Sequence, residues 1–397
     1  MSTPVQLPFR QDSPMRPAPL LRQLQAQGPI HAIRTAVGHP AWLVTGYAQV
    51  RALLDDDRLG RAHRDPEHAS RTGESAMFGG PLGDFDTERA DHRRLRALLQ
   101  PQFSPKRMRA LRGRVETLTA ALLEELAAAG PPADLHAALA LPLPIAVICE
   151  LLGVPYEDRA RFRAWTQAAG DVTDRARSEQ GLAELFTYGR QLVARKRAEG
   201  AVDADGEADV ISRLAATDGV GDDEAAAMGM FLLFAGHETT VTAIGLGALW
   251  LLATPGQWQA LKADPSRVDA AVEEILRAPG LGGGGIPRYA RTDLEIAGVR
   301  VRAGDLVLLD TGAANHDTGV FDDPDRFDLD RPAVPHLTFG YGARYCIGAP
   351  LARIELQVVF SQLAARLPAL KLGCAVEELT FTANTLTGGL TALPVTW

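Results

Sequence analysis

The sequence predicts a mainly α-helical protein with small β-sheets at its edges. From about residue 88 to 278, Ala, Leu, Glu and Arg recur at three-to-four spacing, the period that gathers side chains on one helix face. Short alternating runs, AWLVTG at 41–46, LEIAGVRV at 294–301 and DLVLLD at 305–310, carry the two-residue period of strands. The tail TGGLTALPVTW reads as a further strand pair, and the stretch 200–208 (GAVDADGEA) as a surface loop between helices. The length of 397 residues would allow two domains. With no internal repeat and no long linker, either two domains or one large fold remains open at this point.

Composition narrows the function classes. The chain is 46% hydrophobic and 23% charged, an ordinary globular balance. Its 41 basic against 49 acidic residues give a net charge of −8, which argues against a general nucleic-acid surface. Three cysteines, Cys149, Cys346 and Cys374, form no CxxC pair and no disulfide framework, as expected in a reducing compartment. The start, MSTPVQLPFRQDSPMRPAP, is polar and proline-broken, unlike a signal peptide or membrane anchor. A cytoplasmic monomer is the expectation.

Two apolar stretches resemble membrane spans. ALALPLPIAVICELL is too short and holds Pro142 and Pro144. The run from Ala225 to Ala253 is long enough, but His237, Glu238, Thr239 and Thr240 stand in its middle. A carboxylate at mid-bilayer depth costs at least a few kcal/mol. A long helix through a protein core, with a polar stretch facing a functional cavity, accounts for both features. Gly236 and the two threonines are expected to loosen its hydrogen-bond ladder.

The segment His336-Leu-Thr-Phe339-Gly340-Tyr341-Gly342-Ala-Arg344-Tyr-Cys346-Ile-Gly348-Ala349 carries the chemistry. Its glycines permit a tight loop whose amides can turn toward a sulfur. A thiolate needs such help, because free cysteine ionises only near pH ~8.5. The amphipathic run PLARIELQVVFSQLAARL puts the cysteine just before a helix N-terminus, which also favours an anion. Taken alone, Cys346 reads rather as a small buried hydrophobe, the commonest fate of a free cysteine.

The pattern Phe339-Gly340-x-Gly342-x-Arg344-x-Cys346-x-Gly348 resembles the haem-binding loop of the cytochromes P-450. Four further motifs follow the family's order. Ala235-Gly236-His237-Glu238-Thr239-Thr240 resembles its oxygen-activation stretch, and Glu274-Ile-Leu-Arg277 its ExxR pair. Pro324-Asp-Arg326-Phe327 is similar to its meander motif, and His92-Arg-Arg-Leu-Arg96 to its HxxxR. By that resemblance the fold is the family's triangular one, a single domain spanning 1–397, with haem b between the long central helix and the helix after the cysteine loop.

The resemblance further implies Cys346 as the axial ligand of the haem iron and Thr239 and Glu238 as the catalytic proton-delivery pair. His92, Arg96, Arg288 and Arg344 take the propionate positions, and Phe339, Gly340, Gly348 and Ala235 line the cofactor. Glu274 and Arg277, three apart on one helix face, join Arg326 in a network behind the loop. His237 adjoins Glu238 and reads as structural. Phe231, Phe234, Ala235, Gly283, Gly284, Leu386, Thr387, Met77 and Phe78 are expected to line the substrate pocket, whose wall carries four successive glycines from 282 to 285.

The implied reaction uses dioxygen and two electrons from NAD(P)H to oxidise a bulky, largely apolar small molecule, a bacterial natural product. No reductase fingerprint or iron–sulfur cysteine set occurs. Electrons therefore come through a ferredoxin and ferredoxin reductase, with Arg93 or Arg94 as docking cations. Hydroxylation is the expected outcome, while coupling, epoxidation and desaturation share its early steps. From another class, a non-catalytic haem sensor or carrier fits poorly, since it has no use for Glu238 and Thr239. Two decoys fall away: Gly280-Leu-Gly282-Gly-Gly-Gly285 lacks the strand and helix of a dinucleotide motif, and Asp203-Ala-Asp205-Gly206 lacks a calcium loop's spacing.

Overall fold

A computed structural model describes residues 4–11, 13, 15–199, 208–279, 284–382 and 386–397. Its helices are α1 (Pro19–Gln27), α2 (Tyr47–Leu54), α3 (Glu88–Leu99), α4 (Pro105–Ala129), α5 (Pro142–Leu152), α6 (Arg159–Ala169) and α7 (Arg175–Glu199). They continue as α8 (Val210–Ala216), α9 (Asp222–Ala253), α10 (Gln257–Ala263), α11 (Val268–Arg277), α12 (Thr311–Ala314) and α13 (Ala349–Arg366). The strands are β1 (Val5–Gln6), β2 (Ile30–Arg34), β3 (Pro40–Val44), β4 (Leu59–Gly60), β5 (Ala133–Asp134) and β6 (Ile286–Ala290). They end with β7 (Leu294–Ile296), β8 (Val299–Val301), β9 (Leu306–Leu309), β10 (Lys371–Leu372) and β11 (Pro394–Thr396). The mainly helical expectation holds. Contacts group the chain into two compact units, Met1–Arg93 with Asp269–Cys346, and Arg94–Val268 with Ile347–Trp397.

The first unit is built on a six-stranded sheet of order β1-β2-β3-β9-β6-β4. Strand β9 lies between β3, which it meets in parallel, and β6, antiparallel. Its four residues are all buried, yet the two-residue period still divides them. Val307 and Leu309 join the cluster around Val44 and Val50, whereas Leu306 and Leu308 join that around Leu21, Leu43 and Tyr289. A sheet covered on both faces explains why DLVLLD is apolar almost throughout. Strands β7 and β8 form a hairpin whose turn residues, Ala297 and Gly298, both have positive φ (48° and 81°).

In the second unit α9 is the central element, packed by α5, α7, α8 and α13. It has the length and composition of a membrane span, but 61% of its most apolar stretch is buried inside the protein. That burial makes it a core helix. Asp222, Asp223 and Glu224 in its first turn complement the helix dipole. Gly236 permits close approach, since a Cβ there would meet Ile148 Cδ1 at 2.9 Å.

One expectation is corrected. The C-terminal tail supplies one strand, β11, paired with β10 and β5, plus a single Phe381–Leu390 bridge, not a strand pair. Helix α9 also runs unbroken through Gly236. The Thr239 hydroxyl donates to the Ala235 carbonyl (2.8 Å) and that of Thr240 to the Gly236 carbonyl (3.3 Å), the side-chain bonds to i−4 carbonyls that compete with a helix's own ladder without ending it here. The 200–207 part of the proposed surface loop, including the calcium decoy, lies outside the described residues, as do 280–283.

Candidate active site

The cysteine loop closes on itself. Gly340 and Gly342 adopt φ of +74° and +69°, conformations that side chains with a Cβ disfavour. The Cys346 amide donates to the Phe339 carbonyl (2.8 Å) and the Gly340 amide to that of Leu337 (2.8 Å). Asp55, at the end of α2, accepts the Ala343 amide (3.1 Å), and a Cβ at Gly342 would collide with its carboxylate. Arg51 of α2 bonds the Tyr341 hydroxyl (2.7 Å) and covers its ring. Of the three cysteines, none in a disulfide, Cys346 is the exposed one. Cys149 is buried in α5, and burial pushes its thiol up to about 12. Gly348 caps α13 as expected.

A cationic cluster forms in the same unit. Arg288 is 6% exposed and, among the described residues, donates only to the carbonyl of its neighbour Pro287 (2.9 Å). Burial, then the fields of Arg344 and Arg61, push its pKa down to about 9. Arg344 donates to Glu88 Oε1 (2.6 Å). Glu88 opens α3 and is 7% exposed. It also accepts Arg291 Nη1 (3.3 Å) and the amides of Arg61 (2.8 Å) and Ala62 (3.1 Å). Sequence reasoning found Arg288 and Arg344 but missed Arg61, Arg291 and Glu88. Only the position of Glu88, one turn before His92 on α3, hinted at a role. His92 and Arg96 share a face of α3 and are both half-buried.

Behind the loop, Glu274 and Arg277 form a buried two-pronged pair, Nε to Oε2 at 2.7 Å and Nη2 to Oε1 at 2.8 Å. Arg277 Nη1 donates to the carbonyls of Asn315 and Pro324, each at 2.9 Å. Asn315 in turn accepts the Leu337 amide (2.7 Å) and donates to the Thr338 hydroxyl (2.9 Å), two anchors just ahead of Phe339. The expected third guanidinium is corrected. Arg326 is 62% exposed and pairs with Asp328, so only its carbonyl enters the network. Arg331 takes the place, with Nε 3.1 and 3.2 Å from the two Glu274 oxygens. It sits five residues further along a turn that returns the chain to Glu274, which no spacing rule reveals.

On α9, Phe231, Ala235 and Thr239 recur every four residues on its open face. Phe231 is 45% exposed. Phe234 is corrected: it is buried, 3.7 Å from where a Gly170 side chain would begin, and belongs to helix packing, not a pocket wall. Burial raises the Glu238 pKa above the usual carboxylate range, partly offset by Arg163, and its Oε1 has no hydrogen-bond partner. His237 is fully buried, and burial, followed by the field of Arg163, pushes it down to about 4 against the opposing effect of the Leu141 backbone. Its Nδ1 lies 3.7 Å from Glu238 Oε1. The stretch after Leu386 and Thr387 meets the same helix, where Gly388 accepts a bond from the Thr242 hydroxyl (3.4 Å).

Among the other pocket candidates, Met77 and Phe78 are half-buried beside Arg61, whose guanidinium lies 5.9 Å from the Phe78 ring. Gly284 donates to Asp310 (3.2 Å), while Gly283 lies outside the described residues. Arg94 is corrected as a docking cation, because Glu224 and the Gly219 carbonyl already hold it.

The family model described as cytochrome P-450 matches residues 266–367, the span from just before α11 through the cysteine loop to the end of α13. Pentalenolactone synthase of Streptomyces exfoliatus is 43% identical over 98% of each chain. Mycinamicin IV hydroxylase/epoxidase of Micromonospora griseorubida is 39% identical over 94% of each. The substrate-free structure of a cytochrome P-450 that is a pimaricin epoxidase superposes with a TM-score of 0.89, at 38% identity and complete coverage of both chains. Near-complete coverage at these identities means that the chain belongs to the cytochrome P-450 family, as an oxidoreductase of the monooxygenase class that uses haem.

Proposed function

We propose that residues 1–397 act as one monomeric, cytoplasmic catalytic domain that hydroxylates a bulky, largely apolar bacterial natural product. The observation that carries the site assignment is the exposed Cys346 held in a loop of left-handed glycines. The neighbouring residues suit haem. Arg288 is buried without a carboxylate, Arg61 Nε is shut from solvent without a partner, and the surrounding charge is strongly positive. Two propionates match that excess.

Cys346 would supply the axial sulfur, and Arg288, Arg344, His92 and Arg96 would hold the propionates. When bound, haem supplies dioxygen binding and activation, which a thiolate ligand favours by donating electron density. The chain's own contribution is positioning and protons. Glu238, kept protonated by burial to a higher pH than an ordinary glutamate, can pass a proton toward the Thr239 hydroxyl. Phe231, Ala235, Leu386 and Thr387 present an apolar surface to the substrate. Electrons would come from NAD(P)H through ferredoxin and ferredoxin reductase.

The names of the relatives, pentalenolactone synthase and mycinamicin IV hydroxylase/epoxidase, support the natural-product assignment. The second of these names also favours epoxidation as the next reading. The test is the difference spectrum of reduced protein with carbon monoxide. A Soret band far to the red is expected, lost in Cys346→Ser and kept in Cys149→Ser and Cys374→Ser. A haem-loaded native protein without that band refutes the assignment.

A further inference from the structure

Two guanidinium groups, those of Arg291 and Arg344, contact one buried carboxylate, Glu88, whose field also reaches the guanidinium groups of Arg61 and Arg288. Every contact of that carboxylate goes elsewhere than to Arg61 or Arg288 side chains. Oε1 accepts Arg344 Nη2 (2.6 Å) and the Arg61 amide (2.8 Å), and Oε2 accepts the Ala62 amide (3.1 Å) and Arg291 Nη1 (3.3 Å). Arg291 is further held by the Phe85 carbonyl (2.6 Å) and by the Phe85 ring beneath it.

The Arg61 side chain, by contrast, makes one long bond, to the Met77 carbonyl at 3.5 Å. Its Nε is buried with no partner. Among the described residues Arg288 has only its neighbour's carbonyl. A buried guanidinium with one carbonyl acceptor and no carboxylate is costly, and two that repel each other more so. Arg61 is nonetheless held in place. Its own amide is fixed by Glu88, and Gly60 makes room for that carboxylate, since a Cβ there would meet Oε2 at 2.5 Å. A cavity runs along Gly60, Glu88, Arg288, Arg291 and Arg344.

We propose that Arg61 is a carboxylate-binding residue, the third guanidinium of an anion site formed with Arg288 and Arg344. The inference rests on the haem reading above. Its carboxylate has two possible sources, a haem propionate or an acid group on the substrate, and both present the same planar anion to the same fork.

The test compares native protein with Arg61→Gln and Arg61→Lys. In the first arm, protein loaded with protohaem or with its dimethyl ester is mixed with excess apomyoglobin, and haem loss is timed. If a propionate is the source, Arg61→Gln speeds protohaem loss about tenfold or more and ester loss by less than about twofold. Arg61→Lys falls between. Normal retention of the ester shows that the variant is folded.

In the second arm, haem-loaded protein is melted with 4-phenylbutyrate or 4-phenylbutanamide. If a substrate acid is the source, the acid stabilises native protein more than the amide, and Arg61→Gln abolishes the difference. The proposal is overturned if Arg61→Gln leaves both the protohaem-to-ester ratio and the acid-to-amide difference as in native protein. Failure of native protein to show thiolate-ligated haem would instead overturn the reading beneath it.

Discussion

Replacing Arg331 with Ala should destabilise the protein far more than replacing Arg326. Arg331 is 11% exposed and places Nε 3.1 and 3.2 Å from the two oxygens of Glu274, itself 4% exposed. It also donates to the carbonyls of Asp323 and Arg326. Removing it leaves Glu274 with Arg277 and the Asp328 amide, so the loss is that of a buried charge-assisted contact, about 2–3 kcal/mol. Arg277→Ala removes the bidentate partner of a buried carboxylate and should cost about 3–5 kcal/mol. Arg326→Ala breaks one solvent-exposed pair with Asp328, about 0–1 kcal/mol. Against a total of about 5–15 kcal/mol these differences are large. Urea unfolding of the haem-loaded protein, followed by far-ultraviolet circular dichroism and by the Soret band, gives the three midpoints. Equal losses in Arg331→Ala and Arg326→Ala, or an Arg331→Ala midpoint within 1 kcal/mol of native on conversion, would refute this account of the network.

Two further outcomes follow from α9. Glu238→Gln and Thr239→Ala should each lower product formed per NADPH consumed at least about tenfold and raise hydrogen peroxide release, because proton delivery typically contributes ~10²–10⁴ to rate; unchanged coupling in both would exclude that pair. His237 is neutral in the fold, with burial holding it at about 4 against 6.5 for an exposed ring. Protonation therefore favours the unfolded chain, and stability should fall by up to about 3 kcal/mol as the pH drops from 6.5 to 4. His316, which burial pushes down to about 3, adds to the native slope in the same window, so in urea midpoints His237→Phe should remove the His237 share and leave the His316 share; a slope as steep as native's would sink the assignment.

The legible parts of this protein were those written in local periodicity or in one contiguous motif. The strand AWLVTG became β3 and DLVLLD became β9, because a two-residue period survives whatever the sheet order. Glu274 and Arg277, three apart on α11, had to share a helix face. The loop glycines 340 and 342 announced a tight turn because few other residues tolerate their backbone conformation. Phe234 was misread for the opposite reason: helix periodicity gives relative faces but not which face meets a neighbour, and Gly170 at the end of α6 settles that.

The sequence by itself determined the helical class, the cysteine loop and the polar stretch 237–240 within the long apolar helix, all of them set by neighbours within a few residues. Tertiary structure alone decided that Arg331, not Arg326, completes the Glu274 network, and that Arg61 and Glu88 join Arg288 and Arg344. Those partners lie 57, 27 and 256 positions apart in the chain. Charge pairing at such separations depends on how the sheet and turns return the backbone, and a guanidinium carries no mark in the sequence of which carboxylate the fold will bring to it.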